Sequence, residues 1–292
     1  MNNEKIPEST RFLIIGLGLM GGSYARALKK EGFYVEAIDK NIDAVEYALD
    51  KEIIDVGSTI TTEEAVKRAD IIVFALYPHV FMDWIDKYGG FIRKDTLITD
   101  VTGVKTGIVD KVQEKLGDKV EFIAAHPMAG REVGGVHNSD EAMFRGANYI
   151  VVPTPRNTEH AIEVCCELGE LLGFRRISVL PPEEHDKMIA FLSQLTHAIA
   201  VALMCTNADE KLCDYTGDSF RDLTRIANIN DAMWSELFLL NKDLLVDETD
   251  AFIQQMTKMR NMIADGDREG IRAMMKTSCE RRQKFNKPVK SK

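Results

Sequence analysis

Short apolar runs and segments with helical periodicity alternate over residues 1–181. The apolar runs have the length of buried strands and lie at residues 12–15, 34–38, 69–76, 96–99, 120–125, 148–152 and 176–180. Helical patterns lie between them at residues 23–30, 41–51, 62–68, 106–116 and 158–172, with Thr61 as the expected cap of the third. This alternation predicts an α/β fold built on a mostly parallel sheet.

The strand pattern ends at Pro181 and Pro182, and every long segment after them has helical periodicity. We therefore expect a Rossmann-like dinucleotide-binding domain over residues 1–181 and an all-helical domain over residues 182–292. The helical part carries an apolar stripe of the kind that packs helix against helix, formed by Phe252, Met256, Met259 and Ile263. Such a domain often buries these faces against a second copy, so a homodimer is expected.

A glycine-rich turn follows the first strand. Gly16, Gly18 and Gly21 have the spacing G-x-G-x-x-G, in which the glycines permit a tight turn, a close approach of pyrophosphate and packing of helix on strand. The second strand ends at Asp39, where a carboxylate binds ribose hydroxyls and disfavours the 2′-phosphate of NADP. The residues expected to contact NAD are Gly16, Leu17, Gly18, Leu19, Met20, Gly21 and Asp39.

Alternatives stay open at this turn. Glycine turns also occur for packing reasons alone, and Asp39 has an alternative interpretation as a turn or cap residue. Lys40 weakens the preference for NAD over NADP because its charge suits a phosphate.

Composition narrows the class of protein. The net charge of −9 argues against nucleic-acid binding, which requires a basic face. The five cysteines have neither a disulfide nor a zinc-site pattern, so we expect free thiols, no metal and a cytoplasmic location. We expect no signal peptide in the first ten residues and no membrane span.

Polar side chains follow two strands in the predicted sheet. Thr102 and Lys105 come after residues 96–99, and His126 follows residues 120–125 directly before a Pro-x-x-Gly turn. A histidine held there titrates near neutral pH and suits acid–base chemistry, although a structural role is the alternative. Thr102 and Lys105 are equally compatible with helix capping and a surface position. His79 is expected in a loop after residues 69–76, facing solvent or capping.

The helical part has further candidates. Ser193 and His197 lie four positions apart on one helix face, although a histidine among apolar neighbours is more often a core residue. Asp222 and Arg225 lie three apart, a spacing that also suits a surface ion pair. Trp234 is expected in the core.

These motifs together resemble the prephenate/arogenate dehydrogenase family of tyrosine biosynthesis. The resemblance covers nearly the whole chain, through IIGLGLMGGS, DVTGVK, HPMAGRE, SQLTHAIA, FRDLTRIA and the Trp234 segment. It implies an oxidoreductase that uses NAD for the oxidative decarboxylation of prephenate to 4-hydroxyphenylpyruvate. In the matching positions, His126 would be the catalytic base and Arg225 would bind a substrate carboxylate.

The resemblance implies other roles as well. Ser193 and His197 match positions that line the substrate pocket, Asp222 would orient Arg225, and Glu132 matches an acidic residue that gates the pocket. One position departs from the family, since Gly103 stands where relatives commonly have a serine that bonds the substrate hydroxyl. Thr102 is a candidate substitute, although it lies one residue earlier. We expect neither an appended regulatory domain nor a fused chorismate mutase.

Three other functions remain to be weighed. A β-hydroxyacid dehydrogenase shares the glycine-rich start and a helical second domain but uses a catalytic lysine. An arogenate dehydrogenase differs only in a substrate that carries an amine in place of a ketone. A non-catalytic NAD-binding sensor would have no need of a histidine and an arginine near the nicotinamide.

Overall fold

The main sheet has six parallel strands in the order β3-β2-β1-β4-β5-β6. The computed structural model describes residues 6–285. The strands are β1 (Arg11–Ile15), β2 (Tyr34–Ile38), β3 (Val56–Ser58), β4 (Ile71–Phe74), β5 (Leu97–Asp100) and β6 (Glu121–Phe122). The strand order reverses between β1 and β4, and in open α/β sheets the ligand crevice lies at this switch point. The predicted fold class, a Rossmann-like sheet followed by helices, is confirmed.

A second sheet of three strands begins where the first one ends. Its strands are β7 (Ala124–Met128), β8 (Asn148–Val152) and β9 (Arg176–Val179), with β7 antiparallel and β9 parallel to β8. The single strand predicted over residues 120–125 is therefore wrong, because the chain changes sheets at Ile123. The backbone N–H of Ile123 still donates to Ile98 O at 2.9 Å, and two residues later that of Ala125 donates to Asp100 Oδ1 at 3.1 Å.

Helices cover both faces of the main sheet. One face is covered by α1 (Leu19–Lys30), α2 (Ile42–Asp50) and α6 (Glu159–Leu171), and the other by α3 (Glu63–Arg68), α4 (Pro78–Tyr88) and α5 (Val109–Leu116). The alternation of side chains along β1 builds both cores, since Phe12 and Ile14 join the first cluster and Leu13 and Ile15 the second.

Two details of these helices differ from the sequence predictions. The hydroxyl of Thr62, not Thr61, caps α3 by accepting from the N–H of Ala65. Helix α4 was not predicted, because the Tyr77-Pro78 pair was interpreted as the start of a loop. Pro78 instead occupies the first turn of the helix, where its missing N–H costs nothing.

A long helix follows the sheets. It consists of α7 (Pro182–Ile189) and α8 (Thr196–Thr206), joined by a wider π-helical turn at Ala190–Leu195. Its 25 residues are long and apolar enough to cross a membrane by length and composition alone. Core helices of soluble proteins meet the same criterion, and this one carries the fully buried polar side chains of His185 and Asp186. The remaining helices of this part are α9 (Asp218–Thr224) and α10 (Asp231–Leu240).

The chain divides into two compact units, residues 1–242 and 243–292. The second unit is described as far as residue 285 and contains the helical hairpin of α11 (Lys242–Ala264) and α12 (Arg268–Gln283). Met256 and Ile263 of the apolar stripe have 52% and 63% of their surface exposed in the single chain. The predicted domain boundary near residue 181 is not tested by this division and stays a prediction.

Candidate active site

The turn between β1 and α1 requires glycine at two positions for steric reasons. Gly16 has φ of +99°, and a Cβ there would lie 2.5 Å from Ala75 O. A Cβ on Gly21 would lie 1.9 Å from Gly16 O, so helix and turn meet without room for a side chain. A Cβ on Gly18 would meet nothing within 4 Å. Because Gly18 caps α1 without any side-chain bond, open space and helix N–H groups coincide, as pyrophosphate binding requires.

Asp39 connects this turn to the end of β2. Its Oδ2 accepts from the N–H of Leu17 at 2.6 Å, and its Oδ1 accepts from the N–H of Asn41 at 2.8 Å. The carboxylate therefore supports the turn, as the alternative interpretation held, and keeps further lone pairs for ribose hydroxyls. The site fits a dinucleotide without a 2′-phosphate. Direct contacts from residues 16–21 and Asp39 stay predictions.

A buried ion pair lies at the carboxyl end of β5, beside the first residues of β7. Lys105 Nζ donates to Asp100 Oδ1 at 2.9 Å and Oδ2 at 2.8 Å, and to Ala125 O at 2.6 Å. Both side chains are fully buried, so the surface interpretation of Lys105 is wrong. The hydroxyl of Thr102 donates to Asp100 and lies 3.2 Å from Lys105 Nζ. These bonds occupy the hydroxyl inside the protein, which argues against a direct bond from Thr102 to a substrate.

His126 lies within β7 opposite Ile150, rather than beyond the end of a strand. Its Nδ1 is 2.9 Å from His185 Nε2, and His185 Nδ1 is 2.7 Å from Asp186 Oδ1. Asp186 also accepts from the N–H of Lys105 at 2.9 Å and that of Thr106 at 2.7 Å. Burial lowers the pKa of His126 well below its usual value, and the nearby His185 and Lys105 act in the same direction. Burial also lowers the pKa of His185, so both imidazoles are neutral at neutral pH.

His185 and Asp186 are site residues that the sequence reasoning missed. The available signal was their position in the helical pattern, since each lies four residues before a buried apolar residue, Ile189 or Ala190. Adjacent polar residues near the start of a helix are usually exposed. The complete burial of His185 and Asp186 therefore indicates that their side chains have a specific role inside the protein.

A second cluster forms around His197. Its ring stacks on Trp234 with centroids 3.7 Å apart, and its Nδ1 lies 2.8 Å from Ser193 O. Burial lowers the pKa of His197, while the Ser193 carbonyl and the Glu132 carboxylate raise it and Arg225 lowers it. Ser193 itself lies half-buried in the π-helical turn.

Arg225 lies in the turn that follows α9. Its guanidinium forms an ion pair with Glu132, from the segment after β7. The carboxylate that Arg225 contacts is that of Glu132, whereas Asp222 lies exposed on α9. The expected role of Asp222, to orient or balance Arg225, stays a prediction.

Helix α10 connects the two histidine clusters. A Cβ on Gly103 would lie 3.4 Å from Leu237 Cδ1 and 3.9 Å from His126 Nε2. Trp234, three residues before Leu237 and on the same helix face, holds His197. One face of α10 therefore extends from the Gly103 backbone beside His126 to the ring of His197. The arrangement combines a half-buried imidazole with a guanidinium that already binds a carboxylate.

His79 is not in a loop, as the sequence suggested, but in the first turn of α4. Its backbone N–H and its Nδ1 are both 2.7 Å from carboxylate oxygens of Glu236, on α10. Nearby, Asn230 donates to the Tyr77 hydroxyl at 2.9 Å. These bonds fix α10 over the carboxyl end of β4. Among residues 6–285, no group of three or more His, Cys, Asp or Glu side chains is placed to hold a metal ion.

Comparison with known proteins places this site in a family. A family model of the prephenate dehydrogenase nucleotide-binding domain matches residues 24–178, and one of the prephenate dehydrogenase dimerization domain matches residues 181–277. The chain is 31% identical to prephenate dehydrogenase of Bacillus subtilis, over 92% of this chain and 74% of the relative. It is 29% identical to cyclohexadienyl dehydrogenase of Zymomonas mobilis, over 87% and 89% of the two chains.

A solved structure is similar over nearly its whole length. It is prephenate dehydrogenase from Aquifex aeolicus in complex with hydroxyphenyl propionate and NAD⁺, 27% identical, with a TM-score of 0.87 over 96% of this chain and 99% of that one. Both family models, taken with the fold and the paired clusters around His126 and Arg225, agree with the resemblance seen in the sequence motifs. The chain belongs to the prephenate dehydrogenase family.

Proposed function

We propose that this protein catalyses the NAD-dependent oxidative decarboxylation of prephenate to 4-hydroxyphenylpyruvate. The observation that carries the proposal is the position of His126, whose half-buried imidazole has its Nε2 3.9 Å from the Cβ position of Gly103 and whose pKa is lowered by burial. The Aquifex aeolicus relative was solved with NAD⁺ and hydroxyphenyl propionate, a compound with a phenolic ring like that of the proposed product. Family membership and site geometry therefore support the same reaction.

The reaction requires a base and a site that holds two carboxylates. His126 accepts the proton of the ring hydroxyl as the hydrogen on the same carbon leaves as hydride. The bond to the ring carboxylate then breaks, its electron pair completes the aromatic ring, and the proton returns from His126 to the phenolate oxygen. Bound NAD supplies the hydride acceptor, and Gly16, Gly18, Gly21 and Asp39 would hold it.

Arg225 and Glu132 would control entry of the substrate. Glu132 occupies the guanidinium in the present structure, and a substrate carboxylate offers the same bidentate bonds. We therefore propose that substrate replaces Glu132 on Arg225, while His197 and Ser193 supply further polar contacts. We propose no direct substrate contact for Thr102, whose hydroxyl is bonded within the protein, or for Asp222, because Arg225 pairs with Glu132.

The test follows formation of NADH or NADPH with prephenate and with arogenate, each with NAD and with NADP. We expect prephenate with NAD to give the highest kcat/KM, since Asp39 disfavours a 2′-phosphate. His126→Asn should lower kcat by about 10²–10⁴-fold, the usual contribution of a general base. His160→Asn, an exposed position in α6, is the matched control and should retain full activity. No turnover of prephenate, or a His126→Asn enzyme with normal kcat, would reject the proposal; faster turnover of arogenate would reassign the substrate.

We also propose a cytoplasmic homodimer with the domain boundary near residue 181. Within residues 6–285 the nine strands all end before that residue, and the two family models meet there. The exposed apolar residues Ile253, Met256 and Ile263 of α11 support a covered face. Light scattering should give twice the chain mass. Ile253→Glu should shift the protein toward monomer, whereas Lys258→Glu, on the opposite face of α11, should leave the dimer intact; a monomeric wild type would refute this proposal.

A further inference from the structure

A chain of hydrogen bonds runs from Asp186 through His185 to His126. We propose that His185 and Asp186 are positioning residues that fix the tautomer of His126, so that its Nε2, on the side of Gly103, carries a lone pair. This inference rests on the proposed role of His126 as the base. It explains why two polar side chains of α7 are completely buried beneath β7.

The direction of each hydrogen bond follows from Asp186, the acceptor at the end of the series. The Asp186 carboxylate only accepts, and the backbone N–H groups of Lys105 and Thr106 already donate to it. The remaining contact, at 2.7 Å, must therefore be donated by His185 Nδ1–H. A neutral imidazole has one N–H, so His185 Nε2 is an acceptor.

The tautomer of His126 follows in the same way. Its Nδ1 lies 2.9 Å from the acceptor His185 Nε2 and must carry the proton. Its Nε2 consequently has a free lone pair, and this atom lies 3.9 Å from the Cβ position of Gly103. The general base is thus set in its reactive form before a substrate binds.

The surrounding charges act on the protonated form of His126. When Nε2 takes a proton, the new positive charge is linked through His185 to the buried carboxylate of Asp186, which stabilises it. The ammonium of Lys105 opposes this charge, but Asp100 pairs with Lys105 at 2.8 Å. These four groups, with His126, are the titratable side chains in contact along this path.

The substitution Asp186→Asn reverses the direction of these hydrogen bonds with little change in side-chain shape. The N–H of Thr106 donates to Oδ2 at 2.7 Å and that of Lys105 reaches Oδ2 at 3.2 Å, so we expect the amide oxygen at this position and the NH₂ group at the position of Oδ1, facing His185 Nδ1. His185 then carries its proton on Nε2 and donates to His126 Nδ1, which places the proton of His126 on Nε2. We expect kcat to fall about 10²–10⁴-fold, as when the equivalent change puts a catalytic histidine in the wrong tautomer. KM for prephenate and for NAD should change less than about twofold.

Long-range ¹H–¹⁵N spectra of enzyme labelled in histidine measure the tautomer directly, without substrate. We expect Nδ1–H for His126 in the wild type and Nε2–H in Asp186→Asn. Because this measurement does not depend on turnover, it separates failure of the inference from failure of the proposed function. An Nε2–H wild type, or an Asp186→Asn enzyme that keeps Nδ1–H, would overturn the inference.

A second pair of variants guards against misfolding of Asp186→Asn. His185→Gln offers an oxygen acceptor to His126 and an amide donor to Asp186, so it should keep the Nδ1–H form and retain kcat within about tenfold. His185→Leu removes the acceptor and should lower kcat about 10²-fold or more. Equal kcat in the two variants would contradict the inference. Glu121→Gln, another carboxylate that accepts a backbone N–H but lies at the start of β6, is the control and should keep wild-type kcat.

Discussion

At the scale of single residues, the contact between Arg225 and Glu132 bears on the substrate recognition proposed above. Its guanidinium contacts a carboxylate already present in the protein, Glu132. Charged hydrogen bonds of this kind contribute about 1.5–3 kcal/mol, so Arg225→Gln should raise KM for prephenate about 10–150-fold. The same bonds exist before and during the reaction, so kcat should change much less.

The matched control for this variant is Arg221→Gln. Arg221 lies four residues earlier, and its guanidinium bonds Asp218 and Thr216 on the exposed surface. Initial rates over a range of prephenate concentrations should therefore separate the two arginines. A loss of kcat at unchanged KM in Arg225→Gln would instead place this guanidinium at the reacting atoms.

The sequence did not predict which residues His126 and Arg225 contact. The motifs identified His126 and Arg225, but their partners lie 59 and 93 residues away along the chain, as His185 and Glu132. Periodicity reports that a side chain is buried, not what it contacts. The spacing of Asp222 and Arg225 suggested an ion pair between them, but the structure pairs Arg225 with Glu132, which is distant in sequence.

At the scale of elements, two glycines of the turn between β1 and α1 are required for different reasons, one for binding NAD and the other for folding. Gly18→Ala places a methyl group in open space, so the melting temperature should stay within a few degrees while the Kd for NAD rises about tenfold or more. Gly21→Ala places its methyl group 1.9 Å from Gly16 O and should lower the melting temperature markedly. Calorimetric titration with NAD and thermal unfolding measure the two effects. A Gly18→Ala protein with normal NAD affinity would show that pyrophosphate does not approach this turn.

The elements themselves were largely predictable. Strands β2 and β8 were predicted to the residue, because they are short apolar runs between clear turn signals. The change of sheet at Ile123 was not predictable, since the residues on both sides are buried and apolar, so no change in pattern marks the step. The π-helical turn at Ala190–Leu195 was also missed, because one extra residue per turn hardly alters the apolar spacing.

At the scale of the whole molecule, the site is assembled from distant parts of residues 6–242. The main sheet provides the glycine turn, the second sheet provides His126, and α7 provides His185 and Asp186. Burial of these groups lowers the free energy of unfolding at acidic pH, because the histidines stay neutral in the folded state and become protonated in the unfolded chain. The free energy of unfolding should therefore depend on pH through His126 and His185.

The sign of that dependence follows from the lowered pKa values of His126 and His185. Below about pH 6.5 the unfolded histidines gain protons and the folded ones do not, so the free energy of unfolding falls as pH falls from about 7 to 5. The slope is at most about 1.4 kcal/mol per pH unit for each histidine that stays neutral in the folded state. The lowered pKa of Asp186 acts in the same direction only below about pH 4, where its unfolded form titrates.

Urea unfolding at pH 5, 6, 7 and 8 should show this slope, and each of His126→Asn and His185→Gln should reduce it. His160→Asn should leave it unchanged, because that histidine is exposed in α6. If the slope is the same in all four proteins, then the two buried imidazoles take up protons in the folded state as readily as in the unfolded chain. The imidazole of His126 would in that case be protonated below neutral pH, and its Nε2 would have no free lone pair there.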